Sequence, residues 1–339
     1  MDLHMSVIED VKNVLKTLYG SRVEVTNWKM SDHGDHLREL NSSPPADIKH
    51  ITRDTWKDIN MEMIETFHRE YDKILSNYDA FVVTHTPVFA MIFEKYGKPI
   101  IVVNSCRYDQ PFCWNKNTEM KEKFHESLRR MEARHQLVLV SNNLADRVYL
   151  KEHTGLDSTH IPSLCLYTKA TYNPELPQFV IFDGGVKNQL KSIPNSDLLV
   201  ERPGNFKYTD LFKYRGIVHM PYDISSMSLF EQYFAKMPLF FPTKEFLKSL
   251  IKGGQVTFKV RYDKWGEVLS DDEIEKWLIN ADYYNFKYIQ YYSSFDNCVK
   301  MVNEFNDTDR VAREAHIESV KKDTLDKWKS ILDKRLFPK

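Results

Sequence analysis

Val218-His219-Met220-Pro221-Tyr222-Asp223-Ile224-Ser225-Ser226-Met227-Ser228-Leu229-Phe230-Glu231, with Met237-Pro238-Leu239-Phe240-Phe241-Pro242 just after it, is the stretch that decides the fold. It predicts a short buried strand, a Pro-Tyr turn, a serine-rich helix start and a second buried strand. A helix that begins at the carboxyl end of a strand aims free backbone N–H groups and a partial positive charge into a crevice. A diphosphate fits that geometry. Glu231 stands one turn inside the helix, where a carboxylate reaches the hydroxyls of a ribose or sugar. The same letters carry a plainer reading. Ser228-Leu-Phe-Glu231 has the S-x-x-E form of a capping box, in which Ser caps the helix and Glu returns a hydrogen bond. Ser6-Val-Ile-Glu9 and Ser270-Asp-Asp-Glu273 share that form, so context must separate cap from site.

Working outward, the residues before and after this stretch alternate strand and helix. Val7, Ile8, Val11, Val14, Leu15 and Leu18 recur at helical spacing, so an amphipathic helix opens the chain. Arg22 to Trp28 alternates like a strand, a loop rich in Ser, Pro, Asp and His covers about 31 to 53, and a long helix is expected over roughly 54 to 76. Ala80 to His85, Ile100 to Asn104 and Gln136 to Val140 read as buried strands. Helices are expected from Pro87 to Gly97, over 117 to 133 and from Asn142 to about His153. Such a half normally opens with a strand; either one precedes Met1 or Met1 to Met5 are its remnant.

The second half repeats the pattern. Phe179 to Phe182, Asp197 to Glu201, residues 217 to 220, Pro238 to Phe241 and Tyr288 to Tyr292 read as strands. Helices are expected over 208 to 215, after Ser225, from Thr243, from Ser270 and twice at the end of the chain. Continuous apolar strands alternating with helices predict parallel sheets covered on both faces. The fold class expected is therefore α/β, with two facing Rossmann-like, doubly wound domains and a cleft between their strand ends, where ligands of open α/β sheets bind. The expected division is 1 to 160, a proline-rich linker at 161 to 177, 178 to 306, and a C-terminal helix at 307 to 339 that packs back on the first domain.

Composition narrows the class of protein. A chain of 339 residues is too long for one comfortable core and suits two domains. Hydrophobic content of 42% and charged content of 28% are those of a soluble globular protein. The net charge of −1 disfavours nucleic acid as a partner, because a protein that wraps a polyanion carries a basic excess. Cys106, Cys113, Cys165 and Cys298 are scattered without metal or disulfide spacing. With no signal-peptide pattern and no apolar run of membrane-spanning length, a cytoplasmic protein is expected.

Phe182-Asp-Gly-Gly-Val-Lys187 follows the first strand of the second half. Gly184 and Gly185 would let the backbone approach a ligand closely, and Lys187 could meet phosphate charge. The segment is neither a P-loop nor G-x-G-x-x-G, and as a plain Gly-Gly turn it would need no ligand.

Two such domains, the Pro-Tyr-x-x-Ser-x-x-Ser-x-x-Glu phrase in the second and a final helix after Phe295 resemble the GT-B glycosyltransferases. Gly216 to Tyr222, Ser226 to Glu231 and Pro238 to Pro242 look most like the GT-B enzymes of large DNA viruses that infect algae, which would place the protein in a host cytoplasm. The resemblance covers most of the second half and, in architecture, the first. It implies transfer of a sugar from a UDP- or GDP-sugar to a glycan or other hydroxyl acceptor, without a required cofactor or metal. Many retaining members carry two glutamates eight positions apart, the second at the ribose and the first near the transferred sugar. Glu231 matches the second, and eight positions earlier stands Asp223, one methylene shorter, which leaves the stereochemical course open. By resemblance, the amides near Ser225, Ser226 and Ser228 bind the diphosphate and Tyr222 lines the base or sugar pocket.

An inverting enzyme needs a general base for the attacking hydroxyl. His4 and His85, at junctions of strand ends and helix starts, are the candidates, with Asp32, His33, Asp35 and His36 on the loop behind them. The resemblance favours His4. Asp307-Thr-Asp309 has the letters of a metal-binding Asp-x-Asp, but it opens the last helix, where acids cap and complement the dipole. Two other readings stay open: a nucleotide-sugar epimerase or hydrolase on the same fold, and a non-catalytic nucleotide-sugar-binding module. A DNA-glucosylating enzyme is a narrower variant that the near-neutral charge disfavours.

Overall fold

The structure is a computed structural model that describes residues 3–28, 30, 48–183, 197–204, 206–256, 258 and 269–337. The chain divides into two units: Met1–Ser163 with Thr324–Lys339, and Leu164–Asp323. Each holds one parallel sheet with helices between its strands, so the chain is α/β throughout.

In the first unit the strands are β1 (Phe81–Val83), β2 (Ile100–Asn104), β3 (Leu137–Ser141) and β4 (Thr159–His160), paired in that order and all parallel. The helices are α1 (Met5–Tyr19), α2 (Met61–Leu75), α3 (Ala90–Phe93), α4 (Phe112–Asn115), α5 (Thr118–Ala133) and α6 (Leu144–Thr154). β2 is buried at every position, as a central strand covered on both faces must be. Asn60, Asn117 and Asn143 cap α2, α5 and α6, each side chain accepting a backbone N–H of the first turn. Gly97 ends the helical stretch after Pro87 in the left-handed conformation, where a Cβ would be strained.

Two expectations differ here. Arg22 to Trp28 is not a strand. Its alternation is present in the burial, with Val23 and Val25 half-buried and Glu24 and Thr26 exposed, but no described strand pairs with it. The segment ends on Trp28, which packs on Phe67 and Tyr71 and donates from Nε1 to the Tyr78 hydroxyl at 3.1 Å. Period-two burial marks an extended chain on a core; a strand also needs a neighbour. Nor does Ser6-x-x-Glu9 form a capping box. α1 begins at Met5 with His4 as its N-cap, Ser6 bonds the His4 ring instead, and Glu9 pairs with Lys12 at 3.1 Å.

The second unit carries β5 (Phe179–Phe182), β6 (Leu199–Glu201), β7 (Gly216–His219), β8 (Leu239–Pro242) and β9 (Ile289–Tyr292) in the order β6-β5-β7-β8-β9, all parallel. Its helices are α7 (Tyr208–Leu211), α8 (Met227–Phe234), α9 (Lys244–Lys252), α10 (Asp271–Leu278), α11 (Asp282–Asn285) and α12 (Phe295–Glu304). β7 and β8 are buried at every position. Gly216 opens β7 because the Phe179 ring lies where a side chain would start: a Cβ there would stand 2.7 Å from that ring and 3.0 Å from the Pro238 carbonyl. α10 starts with the capping box read at Ser270 and Glu273, both reciprocal bonds being formed.

Ile161 to Cys165, Tyr167 and Tyr172 are buried, and a 3-10 turn spans Leu166–Thr168. Cys165 and Lys169, on either side of that turn, both have left-handed backbone. The last helix, α13 (Arg310–Leu336), begins in the second unit and from Thr324 belongs to the first. Within the first unit, Tyr19 donates to Asp333 at 2.9 Å and Arg335 to the His135 carbonyl at 2.9 Å.

Candidate functional site

At the carboxyl ends of β5, β7 and β8 lies a cavity of about 390 Å³. Phe182 and Asp183 reach it from β5, Arg202 from the end of β6, and His219 to Asp223, Ser225, Ser226, Ser228 and Leu229 from β7 and the turn into α8; Phe241 and Tyr283 also line it. The opening phrase of the sequence is therefore its wall. Tyr222, Asp223, Ser225, Ser226 and Ser228 all line the cavity and are half-buried. Asp223 Oδ1 accepts from the Ile224 N–H at 2.7 Å, which fixes the turn.

The helix start differs from the S-x-x-E reading in its cap. Ser226, with extended backbone (φ −155°, ψ 149°), is the N-cap of α8, and its hydroxyl accepts from the Leu229 N–H at 3.4 Å. Ser228 lies inside the first turn, 3.0 Å from the Ser226 hydroxyl. Glu231 is thus too deep in the helix to return a bond to the cap. Its carboxylate instead accepts from the Tyr167 hydroxyl and, at 2.8 Å, from the Tyr208 hydroxyl. Glu231 is buried and does not line the cavity. The chain places it as a clamp between α8, α7 and the 3-10 turn that opens the second unit. Burial first, and then the Glu231 carboxylate among its neighbours, holds both phenols protonated, far above their usual range.

The cavity floor is aromatic. His219 stacks on Phe241 (centroids 4.5 Å apart, planes at 9°), and Phe241 stacks on Tyr283 (4.7 Å, 5°). His219 Nε2 lies 2.6 Å from Gln232 Oε1, so that nitrogen carries the proton and donates to the amide. Burial pushes the imidazole down to about 4 and the Gln232 bond only partly opposes it, so the ring is neutral at pH 7. Arg202 lies over the Phe182 ring at 5.3 Å, bringing a guanidinium to a cavity whose acids are Asp183 and Asp223. Sequence reasoning missed Arg202 and Tyr283. Arg202-Pro203-Gly204 reads only as a turn, and Tyr283 sits in an aromatic run with no local pattern.

In the first unit the structure brings His4 and His85 together, with ring centroids 5.2 Å apart and planes at 31°. His4 is the N-cap of α1, and His85 follows the end of β1. The Ser6 hydroxyl lies 2.7 Å from His4 Nδ1, and the Thr86 hydroxyl 3.4 Å from His85 Nδ1. Such hydroxyls set the tautomer and turn of an imidazole. Gly184, Gly185 and Lys187, and Asp32, His33, Asp35 and His36 on the early loop, lie outside the described residues.

Asp307 of the Asp-x-Asp letters neither caps α13 through its side chain nor joins a cation site. Its carboxylate makes a two-pronged bridge to the buried Arg313, at 2.5 and 2.8 Å, and Arg313 also donates to the Lys236 carbonyl at 3.1 Å. Among the described residues no group of three or more His, Cys, Asp or Glu is arranged to hold a metal ion. No described helix is long and apolar enough to cross a membrane.

No protein-family model and no curated protein matches this sequence. Among solved structures the chain is similar to the crystal structure of CalG4, the calicheamicin glycosyltransferase, at 8% sequence identity and a TM-score of 0.42, over 90% of each chain.

Proposed function

We propose that this chain is a glycosyltransferase of the GT-B type, moving a sugar from a nucleoside-diphosphate sugar to a hydroxyl acceptor such as a glycan. One observation carries the reading. The cavity at the carboxyl ends of β5, β7 and β8 gathers a helix N-terminus, three serine hydroxyls and a guanidinium over an aromatic floor. Amides, a helix dipole and Arg202 suit a leaving diphosphate, whose developing charge they stabilise. Hydroxyls and amides of Ser225, Ser226 and Ser228 are assigned to the phosphates, and Tyr222 to the base or sugar. Asp223 is assigned to the transferred sugar, and Gly184, Gly185 and Lys187, after β5, to the same donor.

The acceptor is assigned to the first unit, with His4 or His85 as the base that deprotonates its hydroxyl. A base at Nε2 needs the proton on Nδ1, donated to a hydroxyl oxygen, and Ser6 offers such an oxygen to His4 at 2.7 Å. Glu231 is assigned no contact with the donor in this reading, because its carboxylate is engaged by two tyrosines away from the cavity.

The test is thermal unfolding with UDP, GDP and a panel of their sugars at millimolar concentration. A ligand at about 100 times its Kd adds about 2.7 kcal/mol, which for a unit of this size raises Tm by roughly 5–10 °C. Arg202→Ala should reduce that rise. A protein that no nucleotide or nucleotide sugar stabilises does not have this function. Turnover of the donor at an equal rate with and without acceptors would move the assignment to an epimerase or hydrolase.

A further inference from the structure

His219 closes β7 with one ring nitrogen committed and the other idle. Nε2 donates to Gln232 Oε1 on α8, 2.6 Å away. A neutral imidazole has one N–H and one bare lone pair, so that bond leaves Nδ1 as an acceptor. Among the described residues no group donates to it; the bond to Gln232 is the one the ring makes. Polar atoms inside a protein normally find partners, and one left without on a cavity wall leaves a ligand to supply it.

Nδ1 is also the part of the ring that the protein leaves uncovered. Phe241 stacks on the ring at 4.5 Å, Phe182 lies against it at 5.3 Å, tilted by 45°, and Gln232 covers the Nε2 edge. The residue is 7% exposed, and it lines the cavity. Nδ1 does not belong to the partnerless side-chain atoms sealed from solvent, whereas the Tyr283 hydroxyl on the same wall does. Its lone pair therefore opens into the cavity. The Tyr292 hydroxyl donates to the His219 carbonyl at 2.7 Å, and the Met220 N–H to the Phe182 carbonyl at 2.8 Å, which together hold the strand end in place.

A bare nitrogen selects its partner. A phosphate oxygen is itself an acceptor, and no proton stands between the two unless the ring ionises, which its burial opposes. An uncharged O–H or N–H meets the lone pair directly. Phosphate charge is left to Arg202 and the start of α8. We propose that His219 is a specificity-determining residue whose Nδ1 accepts a hydrogen bond from an uncharged O–H or N–H of the nucleotide sugar and makes no bond to its phosphates. The inference rests on the reading of this cavity as a nucleotide-sugar site.

Nitrogen NMR of protein isotope-labelled at histidine reads the ring directly, and His219→Gln identifies its signals among the 12 histidines. In the free protein Nε2 should carry the proton and Nδ1 should give the signal of a bare nitrogen. UDP, GDP, UDP-glucose and GDP-mannose are then added in turn. With the ligand that binds best, Nδ1 should move towards the hydrogen-bonded position while Nε2 keeps its proton. A movement that UDP or GDP already produces places the O–H or N–H on the nucleoside; one that needs the sugar nucleotide places it on the transferred sugar. His219→Phe, which keeps an aromatic ring beside Phe241, should bind that ligand about 3- to 10-fold more weakly by calorimetry, the worth of one neutral hydrogen bond. Unchanged affinity in that variant overturns the assignment. So does a free protein with the proton on Nδ1, or an Nδ1 signal that no bound ligand moves. An imidazolium in the complex, with both nitrogens protonated as a phosphate contact requires, overturns it as well. These NMR results do not depend on His219→Phe folding. A wild type that binds none of the four ligands instead removes the glycosyltransferase reading itself, and the inference with it.

Discussion

Replacing Tyr208 with phenylalanine, alone and together with Glu231→Gln, tests whether Glu231 is a clamp or a cap. Tyr208 donates to the buried Glu231 carboxylate at 2.8 Å, and a hydrogen bond to a charged group contributes about 1.5–3 kcal/mol, against about 0.5–1.5 kcal/mol for a neutral pair. The Tyr208 ring keeps its packing in the variant, against Phe212 at 5.9 Å, Phe206 at 6.5 Å and Tyr167 at 6.3 Å, so no cavity term enters. Tyr208→Phe should therefore cost about 1.5–3 kcal/mol in the wild type but only about half as much in the Glu231→Gln protein, where the acceptor is a neutral amide. The difference, a coupling of about 1 kcal/mol or more, is what a double-mutant cycle isolates. Urea unfolding followed at the second unit's transition measures all four proteins, and unchanged m-values show that the compared states are the same. If Glu231 were the return arm of a capping box, Tyr208 would not sense its charge. A coupling below about 0.3 kcal/mol, the scatter of independent sites, refutes the clamp.

Acid stability reports on His219 in the same unit. Its imidazole ordinarily titrates near 6.5 and is pushed by burial down to about 4, so the unfolded chain takes up a proton that the folded one refuses. Its contribution is intact above about pH 6.5 and falls as pH drops towards 4; at pH 5 the loss is about 2 kcal/mol, and His219→Gln should spare most of it. Equal acid losses in the two proteins would mean that the ring is not held neutral. His160, similarly lowered to about 4 by burial, lies in the first unit and is unaffected by that variant. At the start of α8, Ser226→Ala should cost about 0.5–1 kcal/mol, the low end of the capping range given the 3.4 Å bond, and Ser228→Ala clearly less. A larger loss at Ser228, read from the same urea curves, would return the cap to the S-x-x-E position.

The strands were legible because burial on both faces leaves a local mark. Ile100 to Asn104, Phe179 to Phe182 and Pro238 to Phe241 are unbroken apolar runs, and each is within a residue or so of an observed strand. β4 was not legible, since Thr159–His160 is two residues long and polar, and only its pairing beside β3 makes it a strand. The cap was misplaced for a related reason. Three serines in four residues offer the same chemistry, and the choice falls where the backbone turns from extended to helical, which letters do not record. The partners of Glu231 were hidden by distance: Tyr167 and Tyr208 stand 64 and 23 residues before it. Tyr283 and Arg202 were hidden likewise, because a cavity wall is assembled from the ends of several strands at once.

Charge makes a further demand on the donor site. Of the residues that line the cavity, Asp183 and Asp223 are acidic, Arg202 is basic and His219 is neutral at pH 7. The start of α8 adds roughly half a positive charge. Among the described residues, a bound diphosphate therefore depends on Arg202 and the start of α8 for its countercharge, against the two carboxylates. The donor reading proposed above adds a second cation. The sequence offers Lys187, four residues beyond Asp183 on the segment that leaves β5. In that reading Lys187, which lies outside the described residues, joins Arg202 at the phosphates.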